Sequence, residues 1–324
     1  MSKILVLGRT MDMGGTEVAM AALLQKLVEK KEDVTLLLVE KRGVLLERIP
    51  KEVEVRQMIW NKKPHPERIV GKRETPAERS FYARGMGVFL MRVVYGKKRY
   101  GKLYERILEC VEPETKQYDL VFDFFGFGAF TTAFGARKTN ARKKAVWFHG
   151  ENLWWLFRTR DFIPEYDKIY CVSEPVRKQV IARFPELADR TEVLMNFIDI
   201  KQVQRRSEEP LSDPQYTGEL KFLTVGRASE EKGYDIAVQI TAELKKRGLR
   251  FKWFIIGDGR DLNKLRTMAK EYQVEQEIIF LGMRENPAPY VKSCDLYLQP
   301  SRHEGYPITI VEARSLQKVI IASD

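Results

Sequence analysis

Two glutamates, Glu304 and Glu312, flank the turn Gly305-Tyr306-Pro307 within the stretch 301–313. Proline at a first helical position wastes no backbone donor, so a helix is expected to begin near Pro307. Glu304 then lies in the loop before it and Glu312 a little over one turn inside. The free amides at such a helix start face an anion. A carboxylate accepts hydrogen bonds through both oxygens and donates none, which suits Glu312 to grip the two neighbouring hydroxyls of a ribose. The pattern reads as a site for a nucleotide diphosphate carrying a sugar, with two glutamates on a surface helix as the plain alternative.

Other segments carry complementary chemistry. Val225-Gly226-Arg227 ends an apolar run and Gly233 opens a helix, so Arg227 and Lys232 stand on the loop above a sheet edge. An arginine fork and a lysine point charge there neutralise a diphosphate without a metal. Gly14-Gly15 lies between a first strand and a helix starting near Thr16, with Thr16 or a neighbour as its cap. Glycines let a backbone approach phosphate closely, although alone they mean only a turn. Their spacing is not the full dinucleotide fingerprint, so no nicotinamide cofactor is expected. His149 closes the apolar run 145–148 and precedes Gly150, where a histidine is more often structural than catalytic. Ser173-Glu174 and Asn196 also stand at strand ends, and the segments 256–259 and 281–282 offer Gly257 and Gly282 as tight turns or plain loops. There is no Asp-x-Asp, and His65 and His303 fit no metal spacing, so metal-independent chemistry is expected.

In this order, Gly14-Gly15-Thr16-Glu17, His149-Gly150, Val225-Gly226-Arg227 with Glu231-Lys232-Gly233, Ile256-Gly257-Asp258-Gly259 and the Glu304/Glu312 pair resemble the group 1 family of retaining, nucleotide-sugar-dependent glycosyltransferases. The resemblance covers almost the whole chain. It implies an α/β fold of two Rossmann-like domains facing a cleft, the GT-B type. By the same resemblance Arg227 and Lys232 bind the donor diphosphate and stabilise the leaving nucleotide, and Glu304 sits by the donor sugar and the charge developing at its anomeric carbon. Glu312 holds the ribose, while the backbone of Gly305, Tyr306 and Pro307's neighbours meets sugar hydroxyls or phosphate. Gly14 and Gly15 reach the phosphates from the first domain, Gly226 belongs to the diphosphate loop, and Gly257 and Gly282 line the nucleoside pocket. His149 contacts sugar, which with Glu304, Arg227 and Lys232 completes the implied catalytic set. Ser173, Glu174 and Asn196 are cleft residues without a firm role. No cofactor is implied, the nucleotide sugar being a substrate. The acceptor is a saccharide or lipid-linked saccharide of cell-surface polysaccharide assembly. A noncatalytic nucleotide-sugar-binding module is the alternative reading, and an epimerase on the same fold is disfavoured by the glutamates together with Arg227 and Lys232.

At 324 residues, 44% hydrophobic and 31% charged, the chain has the composition of a globular protein of two ordinary domains. The apolar run 4–7 is too short for a signal-peptide core, and Asp123 with glycines and threonines interrupts the stretch 121–136. A cytoplasmic protein without a membrane span is expected. Cys110, Cys171 and Cys294 lack paired spacing and read as free thiols. The net charge of +11 is concentrated between Lys62 and Arg106, where Lys97, Lys98, Arg99 and ten other cations interleave with Phe81, Tyr82, Phe89, Tyr95 and Tyr100. That mixture suits either a helix pair on the anionic inner face of a membrane or a solvated basic face. Nucleic acid is not expected as a partner, because no nucleic-acid module accompanies the charge.

Short apolar runs at 4–7, 34–39, 120–124, 145–148, 169–172 and 193–195 alternate with helix-length segments, as do those at 222–225, 253–256, 278–281, 296–298 and 319–322. That alternation predicts parallel sheets covered by helices. The polar stretch 205–218, with Pro210 and Pro214, reads as an interdomain linker between domains 1–205 and 206–324. Family members continue beyond a strand equivalent to 319–322, so the resemblance implies that the second domain is incomplete here.

Overall fold

The computed structural model describes residues 1–61, 100–126, 129–150, 156 and 159–323. Most of the basic and aromatic segment 62–106 lies outside the described residues. The chain divides into two compact units, Met1–Phe197 and Ile198–Asp324.

The first unit is a seven-stranded sheet, β1 (Lys3–Gly8), β2 (Asp33–Leu38), β3 (Glu54–Gln57), β4 (Gln117–Asp123), β5 (Asn140–Phe148), β6 (Lys168–Cys171) and β7 (Thr191–Val193), in the order β3-β2-β1-β4-β5-β6-β7. Every pairing is parallel. Helices α1 (Gly15–Glu29), α2 (Tyr100–Leu108), α3 (Phe130–Arg137) and α4 (Glu174–Arg183) connect the strands. Parallel strands buried on both faces must be continuously apolar, and Leu5, Val6 and Leu7 are fully buried as that requires. β3 escapes the pattern because it is an edge strand of mixed polarity, Glu54-Val55-Arg56-Gln57. Its charges pair sideways, Arg56 with Glu114 at 2.7 Å and Glu54 with Lys116 at 2.9 Å. β7 occupies Thr191–Val193 rather than 193–195.

The second unit repeats the logic with five parallel strands, β8 (Lys221–Val225), β9 (Lys252–Ile256), β10 (Ile278–Gly282), β11 (Leu296–Gln299) and β12 (Val319–Ala322), in the order β10-β9-β8-β11-β12. Its helices are α5 (Ile200–Ser207), α6 (Tyr234–Lys246), α7 (Leu262–Glu271), α8 (Ala288–Ser293) and α9 (Ile308–Ser315). Successive strand side chains point to opposite faces. Phe222, Trp253 and Ile255 accordingly pack with Ala237 and Val238 of α6 and Leu265 of α7. Leu223, Phe254, Ile256 and Tyr297 pack on the other face with Tyr290 of α8 and Ala313 of α9.

The stretch 205–218, expected as a linker, belongs to this second unit. Tyr216 is 7% exposed and donates its hydroxyl to the Tyr290 carbonyl at 2.9 Å, while Asp213 pairs with Arg284 at 2.7 Å. The polar composition hid this because the partners lie some seventy residues further on. No helix among the described residues is long and apolar enough to cross a membrane.

Candidate nucleotide-sugar site

In each sheet the chain reverses its direction of growth once, between β1 and β4 in the first unit and between β8 and β11 in the second. At such a reversal the loops leaving neighbouring strands diverge, and a crevice opens at the carboxyl ends. In the second unit Gly226, Arg227 and Lys232 follow β8, and Ser301 and Glu304 follow β11. The reversal therefore brings together residues more than seventy positions apart. The helix expected near Pro307 is α9, with Pro307 as its flanking residue and Glu312 within it. Gly305 and Tyr306 complete the loop into it.

Lys232 Nζ donates to Glu304 Oε1 at 2.5 Å, with the two side chains 22% and 21% exposed. The same carboxylate oxygen accepts from Ser301 Oγ at 2.7 Å and from Gln299 Nε2 at 2.9 Å. Gln299 also donates to Ser301 Oγ at 2.8 Å and accepts from the Tyr297 hydroxyl at 3.2 Å. Tyr297, Gln299 and Ser301 form a chain of donors ending on Glu304. Burial above all pushes the Tyr297 hydroxyl well up, and the charges of Glu312 and Glu304 add to it, so Tyr297 remains a donor.

A second set of contacts fixes the two loops against each other. Arg302 forks onto Asp235 with bonds of 2.7 and 2.6 Å, and its backbone N–H donates to the Glu231 carbonyl at 2.7 Å. Gly233 caps α6 at φ 64°, and a Cβ there would lie 1.9 Å from the Pro300 carbonyl oxygen. The close approach of the loops after β8 and β11 needs that glycine. Beside it Tyr234 is 1% exposed, and its hydroxyl has no hydrogen-bond partner among the described residues. That hydroxyl stands 2.9 Å from where a Cβ on Gly226 would be. Arg227 is exposed. Gly257 donates its N–H to the Gly282 carbonyl at 2.9 Å, joining the turns after β9 and β10.

The first unit holds the remaining sequence candidates. His149, 8% exposed, follows β5; its Nε2 faces the Phe124 carbonyl at 2.7 Å and its Nδ1 faces Asn196 at 2.9 Å. Burial pushes its pKa down to about 4, so the ring is neutral and carries a single N–H; given to the Phe124 carbonyl from Nε2, it leaves Nδ1 an acceptor, which a half-turn of the Asn196 amide, bringing its NH2 in place of Oδ1, satisfies. His149 and Asn196 are thus brought together, with both ring nitrogens engaged by protein groups. Ser173 is the flanking residue of α4 and Glu174 its first, the latter paired with Arg177 at 3.2 Å. The helix expected to be capped at Thr16 starts one residue earlier, flanked by Gly14 in extended conformation and without a side-chain cap. A Glu17 oxygen stands 2.3 Å from a Cβ built on Gly14, so this helix start already faces a carboxylate. The loop before it is held by Arg42, which binds both Asp12 oxygens at 2.9 and 2.8 Å.

Sequence reasoning missed Tyr297, Gln299, Ser301, Arg302 and Asp235. Positions 297, 299 and 301 alternate at the period of a strand, and a polar triplet of that period running into a loop was the available signal.

Residues 206–324 match the family model described as glycosyl transferases group 1. The matched residues fall within the second unit, Ile198–Asp324. The glycosyltransferase relatives include an uncharacterized protein of Methanocaldococcus jannaschii, 30% identical over 165 residues, covering 49% of this chain and 40% of the relative. Another is the N-acetylgalactosamine-N,N'-diacetylbacillosaminyl-diphospho-undecaprenol 4-alpha-N-acetylgalactosaminyltransferase of Campylobacter jejuni, 24% identical over 161 residues, 50% of this chain and 42% of that one. The chain thus spans about four-tenths of the length of these curated relatives. Among solved structures, Anabaena HepE in complex with UDP-glucose superposes with a TM-score of 0.67 over 99% of this chain and 80% of that one, at 18% identity. That likeness establishes the fold, the GT-B type of two Rossmann-like units.

Proposed function

We propose that the chain is a retaining, metal-independent glycosyltransferase that moves a sugar from a nucleoside diphosphate sugar to a saccharide or lipid-linked saccharide in cell-surface polysaccharide assembly. The observation that carries this reading is the meeting of Lys232 and Glu304 at the reversal between β8 and β11, beside the start of α9 with Glu312 inside it. The UDP-glucose held by HepE and the lipid diphosphate in the Campylobacter enzyme's name support UDP-sugars as first donors and lipid-linked saccharides as first acceptors.

In the proposed reaction the bond between the anomeric carbon and the diphosphate oxygen breaks, and its electron pair leaves with the nucleotide. Arg227 and Lys232 receive that charge with the amides at the start of α9, which is the task a divalent ion would otherwise perform. Glu304 faces the positive charge growing on the sugar, and Glu312 orients the ribose. The acceptor oxygen attacks on the face the diphosphate leaves, and its proton passes to the departing phosphate oxygen, which preserves the anomeric configuration. His149 keeps the sugar-contact role that the resemblance implies, as a neutral ring. The segment 62–106 is assigned to an anionic membrane surface that carries the acceptor.

Calorimetric titration with a panel of nucleotide sugars, begun with UDP-glucose, tests donor binding. Release of free nucleotide only on adding acceptor, unchanged by a chelator, establishes metal-independent transfer. Binding without release makes the protein a binding module, and loss of turnover with EDTA and its return with magnesium or manganese overturns metal independence. Sedimentation with anionic vesicles at low salt tests the membrane assignment, which fails if the protein stays in the supernatant.

A further inference from the structure

The Glu304 carboxylate is bound in a lopsided way. Three donors, Lys232, Ser301 and Gln299, converge on Oε1, whereas an sp² oxygen offers two lone pairs. One donor can therefore leave without orphaning the oxygen, and the three are not equally free to go. Ser301 is 6% and Gln299 2% exposed, and Gln299 is itself pinned by the Tyr297 hydroxyl and by Ser301. Lys232 ends a flexible four-carbon stem on a loop, and its side chain is 22% exposed.

We propose that the Lys232–Glu304 ion pair is the resting lock of the donor site, opened when a diphosphate takes Lys232, and that Gln299 and Ser301 are the positioning residues that hold Glu304 in place once Lys232 has gone. The inference rests on the reading of this crevice as a diphosphate-sugar site. The cation meant for the diphosphate is paired with the carboxylate meant for the sugar, so Glu304 competes with the diphosphate for Lys232. Once the diphosphate wins, Ser301 and Gln299 still donate to Oε1, and the uncompensated carboxylate presents Oε2 to the sugar. Carboxylate availability is thereby tied to diphosphate occupancy, and an empty site does not display a bare anion to other cations.

The test is calorimetric titration of the whole protein with UDP and, independently of the base, with inorganic pyrophosphate. Glu304→Gln removes the competitor and should tighten both ligands about tenfold. Lys232→Ala should weaken both, and in the double variant Glu304→Gln should bring no gain, since there is no lysine left to release. Ser301→Ala should leave the UDP affinity within about twofold of wild type while lowering the turnover number about tenfold or more, and Ser301→Thr, which keeps the hydroxyl, should restore turnover. Far-ultraviolet dichroism and thermal unfolding show that each variant is folded. Equal UDP and pyrophosphate affinities in wild type and Glu304→Gln, with Lys232→Ala still weakened, overturn the lock and leave the diphosphate site standing. Unchanged turnover in Ser301→Ala overturns the positioning role. Failure of the wild type to bind either ligand removes the diphosphate reading and the lock together.

Discussion

At His149 and Asp123, burial acts on two groups of opposite charge type that lie near each other, since Asp123 precedes Phe124, whose carbonyl His149 meets. The carboxyl of Asp123, fully buried at the end of β4 with Thr132 donating to it at 2.6 Å, is pushed up to about 6 by that burial. His149 is pushed down to about 4. As the pH rises from 4 to 6.5, the unfolded chain holds a proton on His149 that the folded chain refuses, so this group makes stability increase with pH. Between 3.8 and 6 the folded chain keeps a proton on Asp123 that the unfolded chain has lost, so that group makes stability decrease. Each amounts to about 3 kcal/mol, and the two nearly cancel. Relative to wild type, His149→Gln is expected to make stability fall as pH rises from 4 to 6, and Asp123→Asn to make it rise, in urea unfolding followed across that range. At Glu312 the expectation concerns the ligand. Glu312→Ala should lose about 1.5–3 kcal/mol of nucleotide binding through its charged hydrogen bonds to the ribose, and Glu312→Gln should lose less because an acceptor oxygen remains. A 2′,3′-dideoxy nucleotide that binds wild type as well as the natural one would refute the ribose contact.

Among the elements, the loops after β8 and β11 owe their closeness to Gly233, and a second glycine isolates the reason. Gly248 has φ 80° with nothing within 4 Å of an added Cβ, whereas at Gly233, φ 64°, the Cβ would lie 1.9 Å from the Pro300 oxygen. Gly248→Ala should therefore cost only the left-handed backbone strain, about 1 kcal/mol, while Gly233→Ala should cost more than twice that and weaken nucleotide binding. Equal losses in denaturant unfolding would show that the loops are free to part. The strands at 222–225 and 296–298 and the helix after Pro307 were legible because two-faced burial demands unbroken apolar runs and proline marks a helix start. The Arg302–Asp235 fork and the Gln299–Ser301 donors were not. Asp235 lies on another element, so the charges of Arg302 and Asp235 resemble any solvated surface until the topology joins them, whereas Gln299 and Ser301 meet Glu304 a few residues on only because the loop after β11 turns back on the strand end. The same blindness to distant partners made 205–218 read as a linker when Tyr216 and Asp213 bind residues of β10's loop and α8.

For the whole molecule, the proposed nucleotide contacts that carry charge all reside in the unit Ile198–Asp324. A ligand that binds only folded protein stabilises it by an amount that grows with the logarithm of its concentration over the dissociation constant, about 2.7 kcal/mol at a hundredfold excess. For a unit of this length UDP should raise one calorimetric transition by about 10 °C, with little change in a transition carried by the first unit. Lys232→Ala should abolish that shift at the same UDP concentration. A UDP-induced rise confined to the first unit would reassign the nucleotide.

The reversal of strand order also dictates the sequence in which the site can come into being. The second sheet has the order β10-β9-β8-β11-β12, so β9 and β10 are synthesised and paired on one side of β8 before β11 exists to cover the other. During that interval β8 is the raw edge of a half-built sheet, with the apolar run Phe222-Leu223 on it, and Lys232 has no Glu304 to meet. The first sheet repeats the situation, β1 waiting through β2 and β3 for β4. The seam that receives the ligand closes only after the strands on one side of it are already paired, and a molecule gripping both sides of it acts as a rivet between the early and late halves of the unit.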